Sequence, residues 1–297
     1  MIKFYFSFKN PKSSTAFSLV EISVVILVIG ILIAGVSQGI DLYQDTKLAT
    51  ARSLTTNSRV GRIDGLVLWL ETTLPNNFSS GTTTFNNIRD ITNNTSINRW
   101  RDINPTSISP IFATQTSSAG QPKIIIDRES VLPMLNFTSS SSQFMGLPNG
   151  SLPFGNSAYS VIFLIKSANS GGAILSAGFW GTKTTNVFYG SSSMYRNVWV
   201  GSDLGISSTE LKLNSIAITT YDQIQRKTYI NGELKGSNID GNLNAGTFPN
   251  YIGRRQGSPP DFYNGDIGEI IIYDRTLSDN ERKDIEQYLA KKWNIKI

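Results

Sequence analysis

Asp266, Glu269 and Asp274 in "DIGEIIIYD" are the acidic residues of this sequence closest to the spacing that carboxylate chemistry needs. A retaining glycosidase requires two carboxyls about 5–5.5 Å apart. The offsets here are three and five residues, and a strand alternates its faces with period two, so the three acids cannot share one face without a bulge. Asp261 and Asp266 in "SPPDFYNGD" are the only calcium candidates, and two acids fall short of the six to eight oxygens that ion takes. No cofactor is therefore expected. The sequence contains no His and no Cys, which excludes a Ser-His-Asp triad, thiolate nucleophiles and His-containing zinc sites. Trp180, Tyr195, Trp199 and Tyr263 are the aromatic candidates for stacking on a sugar, with packing inside a sheet as the competing use. One further acid stands apart: Glu21, near the start of a long apolar run.

That run, "FSLVEISVVILVIGILIAG" and onward to Ile40, covers 24 residues with Glu21 as its only ionisable side chain. As a helix it is about 36 Å long at about 1.5 Å per residue, enough to cross a hydrocarbon core of about 30 Å. Lys3, Lys9 and Lys12 precede it, and no acid does. The positive-inside rule then keeps residues 1–16 cytoplasmic and sends the C-terminal part across. A secretory signal would have a shorter apolar region followed by a small-x-small cleavage site. A plain anchor gives no reason for Glu21, whose charge in lipid requires a partner. The "GVSQG" spacing, Gly35 to Gly39, allows close helix packing.

These residues resemble the N-terminal signature of type IV prepilins and of the pseudopilins of type II secretion. The resemblance implies cleavage between Ala16 and Phe17 by a prepilin peptidase, N-methylation of Phe17, and an assembly role for Glu21. The family usually has Gly before the cut, so Ala16 is a departure that predicts slower processing. The chemistry agrees with the resemblance. Cleavage frees an α-amino group with a reference pKa of about 7.7–8.0, and Glu21 lies four residues on, on the same helix face. Pairing with the Phe17 amine, its own or a neighbouring subunit's, removes the penalty of each buried charge, and the resemblance implies that it is the neighbour's. Other pilin-like subunits and membrane lipid are the expected partners of this helix.

Residues 41–62 continue without proline as an amphipathic stalk helix and linker, with Ile40, Tyr43, Leu48, Ala51 and Leu54 as an approximate stripe. From residue 63 the period changes. Short apolar runs such as "YSVIFLIKS", "SIAITTYD", "KTYINGEL" and "DIGEIIIYD" are separated by Gly, Ser, Pro and Asn, which predicts an antiparallel sandwich. Asn231-Gly232 suits a type I′ hairpin turn. Ser278 and Glu281 form a capping box for a closing helix. Its apolar face is Ile285, Tyr288, Leu289 and Trp293, and its charged side, with Arg282, Lys283, Lys291 and Lys292, reads as solvated.

The region from about 65 to 297 resembles the laminin-G-like, concanavalin-type jelly roll, through "LKLNSIAITTYDQIQRKTYINGELKG" and "YNGDIGEIIIYDRTLSDNERKDIEQYLAKKW" above all, and only loosely between about 168 and 210. The resemblance implies two antiparallel sheets that hold a glycan or a protein surface. No E-x-D-x-x-E-like run of its hydrolytic relatives occurs, so no enzyme is expected. The predicted fold is mainly β: a long N-terminal α-helix (17–40 membrane, 41–62 stalk), then a jelly-roll β-sandwich (63–297) with a C-terminal helix. The predicted function is a minor pilin or pseudopilin, a structural or adhesive subunit displaying a lectin-like sandwich. The alternative is a membrane-anchored carbohydrate- or protein-binding module that does not assemble. Without residues 1–16 the net charge is near +2, which gives a nucleic-acid reading no concentrated basic face.

Overall fold

The computed structural model describes residues 18–85 and 91–297. Ala16 and Phe17, on which the expected cut falls, lie outside the described residues. Helix α1 runs Leu19–Asn57. A reciprocal cap opens it: Ser18 N donates to Glu21 Oε2 at 2.7 Å, and Glu21 N to Ser18 Oγ at 3.1 Å. The chain divides into two compact units between Thr46 and Lys47.

In the first unit, large apolar side chains from Leu19 to Tyr43 are exposed. By length and composition α1 is able to cross a membrane, with a mean hydropathy of 2.9 in its most apolar window.

The second unit begins at Lys47, ahead of the expected start at 63. The physical reason is burial. Leu48 and Ala51 join the core of the head, and Arg52 Nε donates to Thr73 O at 2.8 Å. Two antiparallel sheets make the sandwich. One has eight strands, in spatial order Glu233–Ile239, Gln225–Ile230, Ser215–Tyr221, Tyr159–Ser167, Gly265–Tyr273, Pro133–Phe137 and Lys123–Ile126, with Leu66–Glu71 also paired to Gly265–Tyr273. The other has ten: Leu204–Ser207, Met194–Val198, Asn186–Ser191, Gly172–Ala177, Asn250–Ile252, Met145–Leu147, Phe112–Thr114, Arg99–Arg101, Phe78–Ser80 and Thr83–Thr84. Asn231 and Gly232 both take positive φ, 47° and 84°, between the paired Ile230 and Glu233. The hairpin turn is therefore the primed type the sequence predicts.

Alternation sorts the side chains. Phe163, Ile165, Ile270 and Ile272 of the first sheet meet Trp100, Phe188 and Ile252 of the second in the central core. The opposite face of the first sheet, with Ile162, Leu164, Ile216 and Ile271, lies under helix α2 (Asp279–Trp293) and the end of α1. Each such buried side chain contributes about 1.5–3 kcal/mol relative to exposure. The first sheet is thus covered on both faces, and the second is partly open on its outer face, where Ala173, Val187 and Val198 form a small buried cluster.

Helix α2 carries the predicted capping box, with Ser278 and Glu281. Its charged side corrects the sequence expectation, because Arg282 and Lys292 are buried. Arg282 binds both Glu286 carboxylate oxygens at 2.7 Å and lies 4.0 Å above the Tyr229 ring. Lys292 Nζ reaches Glu71 Oε2 at 2.7 Å, Glu269 Oε1 at 2.8 Å and Thr55 Oγ1 at 2.7 Å. Burial pushes the Glu71 carboxyl up, but Lys292 and Thr73 outweigh it and hold the group below its ordinary value. Burial pulls the Lys292 ammonium down, and Glu269 and Glu71 reverse the sign.

Candidate functional site

The open face of the ten-stranded sheet holds two hollows. The first, about 510 Å³, is lined by Trp180, Tyr189, Met194, Arg196 and Asp261 among others. The second, about 720 Å³, is lined by Arg99, Ile111, Phe112, Thr114, Phe248 and Tyr251 among others. Register explains why both lie outward. Arg99 and Arg101 flank the buried Trp100, and Tyr251 lies between the buried Asn250 and Ile252. Tyr189 projects opposite to its neighbour Phe188, which belongs to the central core. Cross-strand pairing then lines up Arg99, Thr114, Gly146, Tyr251 and Ser176, each opposite the next.

A two-stranded ridge, Arg254–Arg255 paired with Asp261–Phe262, lies over Gly172–Ala177. Ser176 Oγ donates to Arg254 O at 2.8 Å. Gly172 permits this approach: it has φ +135°, and a Cβ there would strike the Phe262 carbonyl. Each ridge arginine lies beside an aromatic ring of one hollow. The Arg254 guanidinium is 4.9 Å from the Tyr251 ring and 4.8 Å from that of Phe144, and Arg255 is 4.1 Å from Trp180. Arg99 lies 3.4 Å over Phe112, and Arg196 lies 5.8 Å from Tyr189. Nε of Arg254 and of Arg255 is buried without a hydrogen-bond partner.

The sequence candidates separate cleanly. Trp180 is 43% exposed and lines the first hollow. Tyr195, Trp199 and Tyr263 are fully buried, which corrects their reading as ligand-stacking residues. Each is satisfied inside. Tyr195 Oη shares a hydrogen bond with Thr219 Oγ1 at 3.1 Å, and Trp199 Nε1 donates to Asn186 Oδ1 at 3.2 Å. The Trp199 ring lies 3.6 Å beneath Arg226, and Tyr263 Oη meets Ser167 Oγ at 2.8 Å. Closing a sandwich takes large side chains, and these three fill it.

Asp261 belongs to the first hollow, where burial pushes its carboxyl up, partly offset by Arg255 and Tyr189. Asp266 accepts from Asn136 Nδ2 at 2.6 Å, and burial raises its carboxyl as well. Among the described residues no three His, Cys, Asp or Glu side chains gather to hold a metal. Glu269 is engaged by Trp69, Trp293, Tyr288 and Lys292. Glu21 is satisfied by its own cap, a second use for this carboxylate that the S-x-x-E spacing of "SLVE" signals and the sequence expectation leaves out. Tyr189, Arg99 and Tyr251 are the lining residues that expectation omits, and the charge–aromatic–charge pattern of "RWR" is the available signal.

Residues 138–281 match the family model described as the concanavalin A-like lectin/glucanases superfamily, Laminin_G_3. Among solved structures, the chain is similar to the Ruminococcus gnavus IT-sialidase CBM40 bound to alpha2,3 sialyllactose, at 17% identity over 42% of this chain and 80% of that one, with a TM-score of 0.37. It is also similar to the binding domain of Paraclostridial Mosquitocidal Protein 1, at 14% identity over 78% and 55% of the two chains, TM-score 0.48. A third likeness is to Trypanosoma rangeli sialidase, at 15% identity over 77% and 33%, TM-score 0.47. No relative was found among the curated proteins.

Proposed function

We propose that this protein is a pilin-like subunit that carries a glycan-binding sandwich outside the inner membrane on an N-terminal assembly helix. The observation that carries the binding half is the first hollow, where exposed Trp180 stands beside Tyr189, Arg196 and Asp261 on the open sheet. An accessible ring with convergent polar groups is the usual make-up of a small-molecule site. No catalytic step is proposed. Trp180→Ala should weaken glycan binding by the full chain in detergent by about tenfold or more, as expected for an anchoring aromatic. Equal binding on a glycan array would sink this site.

The assembly half rests on the basic leader, the apolar run and Glu21. It requires a prepilin peptidase and other pilin-like subunits as partners. Intact mass of the chain from native membranes should correspond to a start at Phe17 with one added methyl. A second reading, an anchored binding module that never assembles, is favoured by one observation: the Glu21 carboxylate already has a partner in its own first turn. An uncut chain beginning at Met1 would support that reading and overturn the first.

A further inference from the structure

We infer that the open sheet binds an anionic polysaccharide, a chain of carboxylated or sulfated sugars that runs across both hollows. The inference rests on the glycan-binding reading and names its ligand class. The argument begins with the faces of the aromatic rings. A neutral sugar binds an aromatic through an uncovered ring face. Here each hollow has arginine laid on its rings: Arg99 on Phe112, Arg254 on Tyr251, Arg255 on Trp180 and Arg196 toward Tyr189. A guanidinium has the fork geometry that matches a carboxylate or sulfate. Arg255 uses donors on Gln256 O and Pro259 O and Arg196 binds Asp203, so Arg99 and Arg254, beside Phe112 and Tyr251, are the arginines that offer donors to a ligand.

Charge balance points the same way. Arg101 pairs in register with Phe112 and adds a fifth cation to this surface. Against them stand Asp203, which binds Arg196 at 3.0 Å, and Asp261, which lines the first hollow. Among the described residues no carboxylate forms an ion pair with Arg99, Arg101 or Arg254, whereas Arg255 has Asp261 opposite it in the ridge.

Extent indicates a polymer. The strands of Arg99 and Arg196 are six spacings apart in the sheet, about 29 Å at about 4.8 Å per strand. Phe179 and Phe248, both exposed and 6.0 Å apart, bridge the hollows, because Phe248 lines the second and Phe179 precedes Trp180 of the first. Single-stranded nucleic acid is the competing anion. It binds by stacking bases on a run of open aromatic faces, whereas arginines lie against Phe112, Tyr251 and Trp180 here and Phe179 and Phe248 form a single exposed pair.

The test uses two matched pairs of polymers, polygalacturonate with its methyl ester and dextran sulfate with dextran, titrated onto the full chain in detergent. At least one charged member should bind about tenfold or more tightly than its neutral partner, and the preference should shrink as salt rises. Arg254→Gln and, separately, Arg99→Gln at the far hollow should each reduce that binding about tenfold, while Lys283→Gln on α2 changes nothing. If Arg254→Gln fails to fold, Arg99→Gln decides alone. Equal binding of charged and neutral members would overturn the ligand class and leave the glycan site standing. Silence from all four polymers, or tighter binding of a single-stranded oligodeoxynucleotide, would also overturn it.

Discussion

Lys292→Met should destabilise the head by about 3–5 kcal/mol, read as the urea unfolding midpoint of the full chain in detergent. The side chains of Lys292, Glu71 and Glu269 are 0% exposed, and one ammonium serves two carboxylates at 2.7 and 2.8 Å. Removing it leaves two buried anions facing each other with only neutral donors: Thr73, Leu74 N and Asn77 for Glu71, and Trp69, Trp293 and Tyr288 for Glu269. Those donors satisfy oxygens without neutralising charge. The triple variant Lys292→Met, Glu71→Gln, Glu269→Gln should recover much of the loss, since an uncharged, well-packed replacement removes the desolvation penalty. A change under about 1 kcal/mol for Lys292→Met would contradict this account, because the ammonium would then be dispensable to the two carboxylates.

Glu21→Gln should abolish assembly while leaving membrane insertion intact. The choice of Gln separates the two uses of this side chain. In the structure Glu21 caps α1 through Ser18, and Gln at the third position completes a capping box nearly as well as Glu. Helix initiation is therefore preserved. Charge is not, and in the proposed assembly the pairing with a neighbouring subunit's terminal amine requires it. Co-purification of tagged with untagged copies should fall at least tenfold for Glu21→Gln, and as far for Glu21→Ala. Wild-type co-purification by Glu21→Gln would reduce Glu21 to a helix cap and leave the non-assembling module as the better reading.

Elements with a local cause were legible in the sequence. The apolar run, the Asn231-Gly232 turn and the Ser278–Glu281 cap each follow from neighbouring residues, and the long strands show continuous burial on both faces. The short strands of the open sheet were not legible. Arg99–Arg101 exposes two of three residues, and Arg254–Arg255 is two charged residues held by contacts distant in sequence. Because the candidate site is built on such strands, its lining remained hidden apart from Trp180 and Asp261. Lys292 was misread for a different reason. It lies four residues after Tyr288 and seven after Ile285, on the apolar stripe itself, but residue type suggested solvent. Only the fold brings Glu71, 221 residues away, to meet it.

The ammonium at Lys292 also donates to Thr55, in the last turns of α1 and 237 residues distant. Thr55 in turn touches Tyr288 Oη at 3.1 Å. A pull entering the head through α1 is therefore shared at once with α2 near the chain's other end, instead of peeling the first strand from its sheet. The two ends of the head act as one mechanical clasp, and tension along α1 meets the Thr55–Lys292 contact before it meets the first strand.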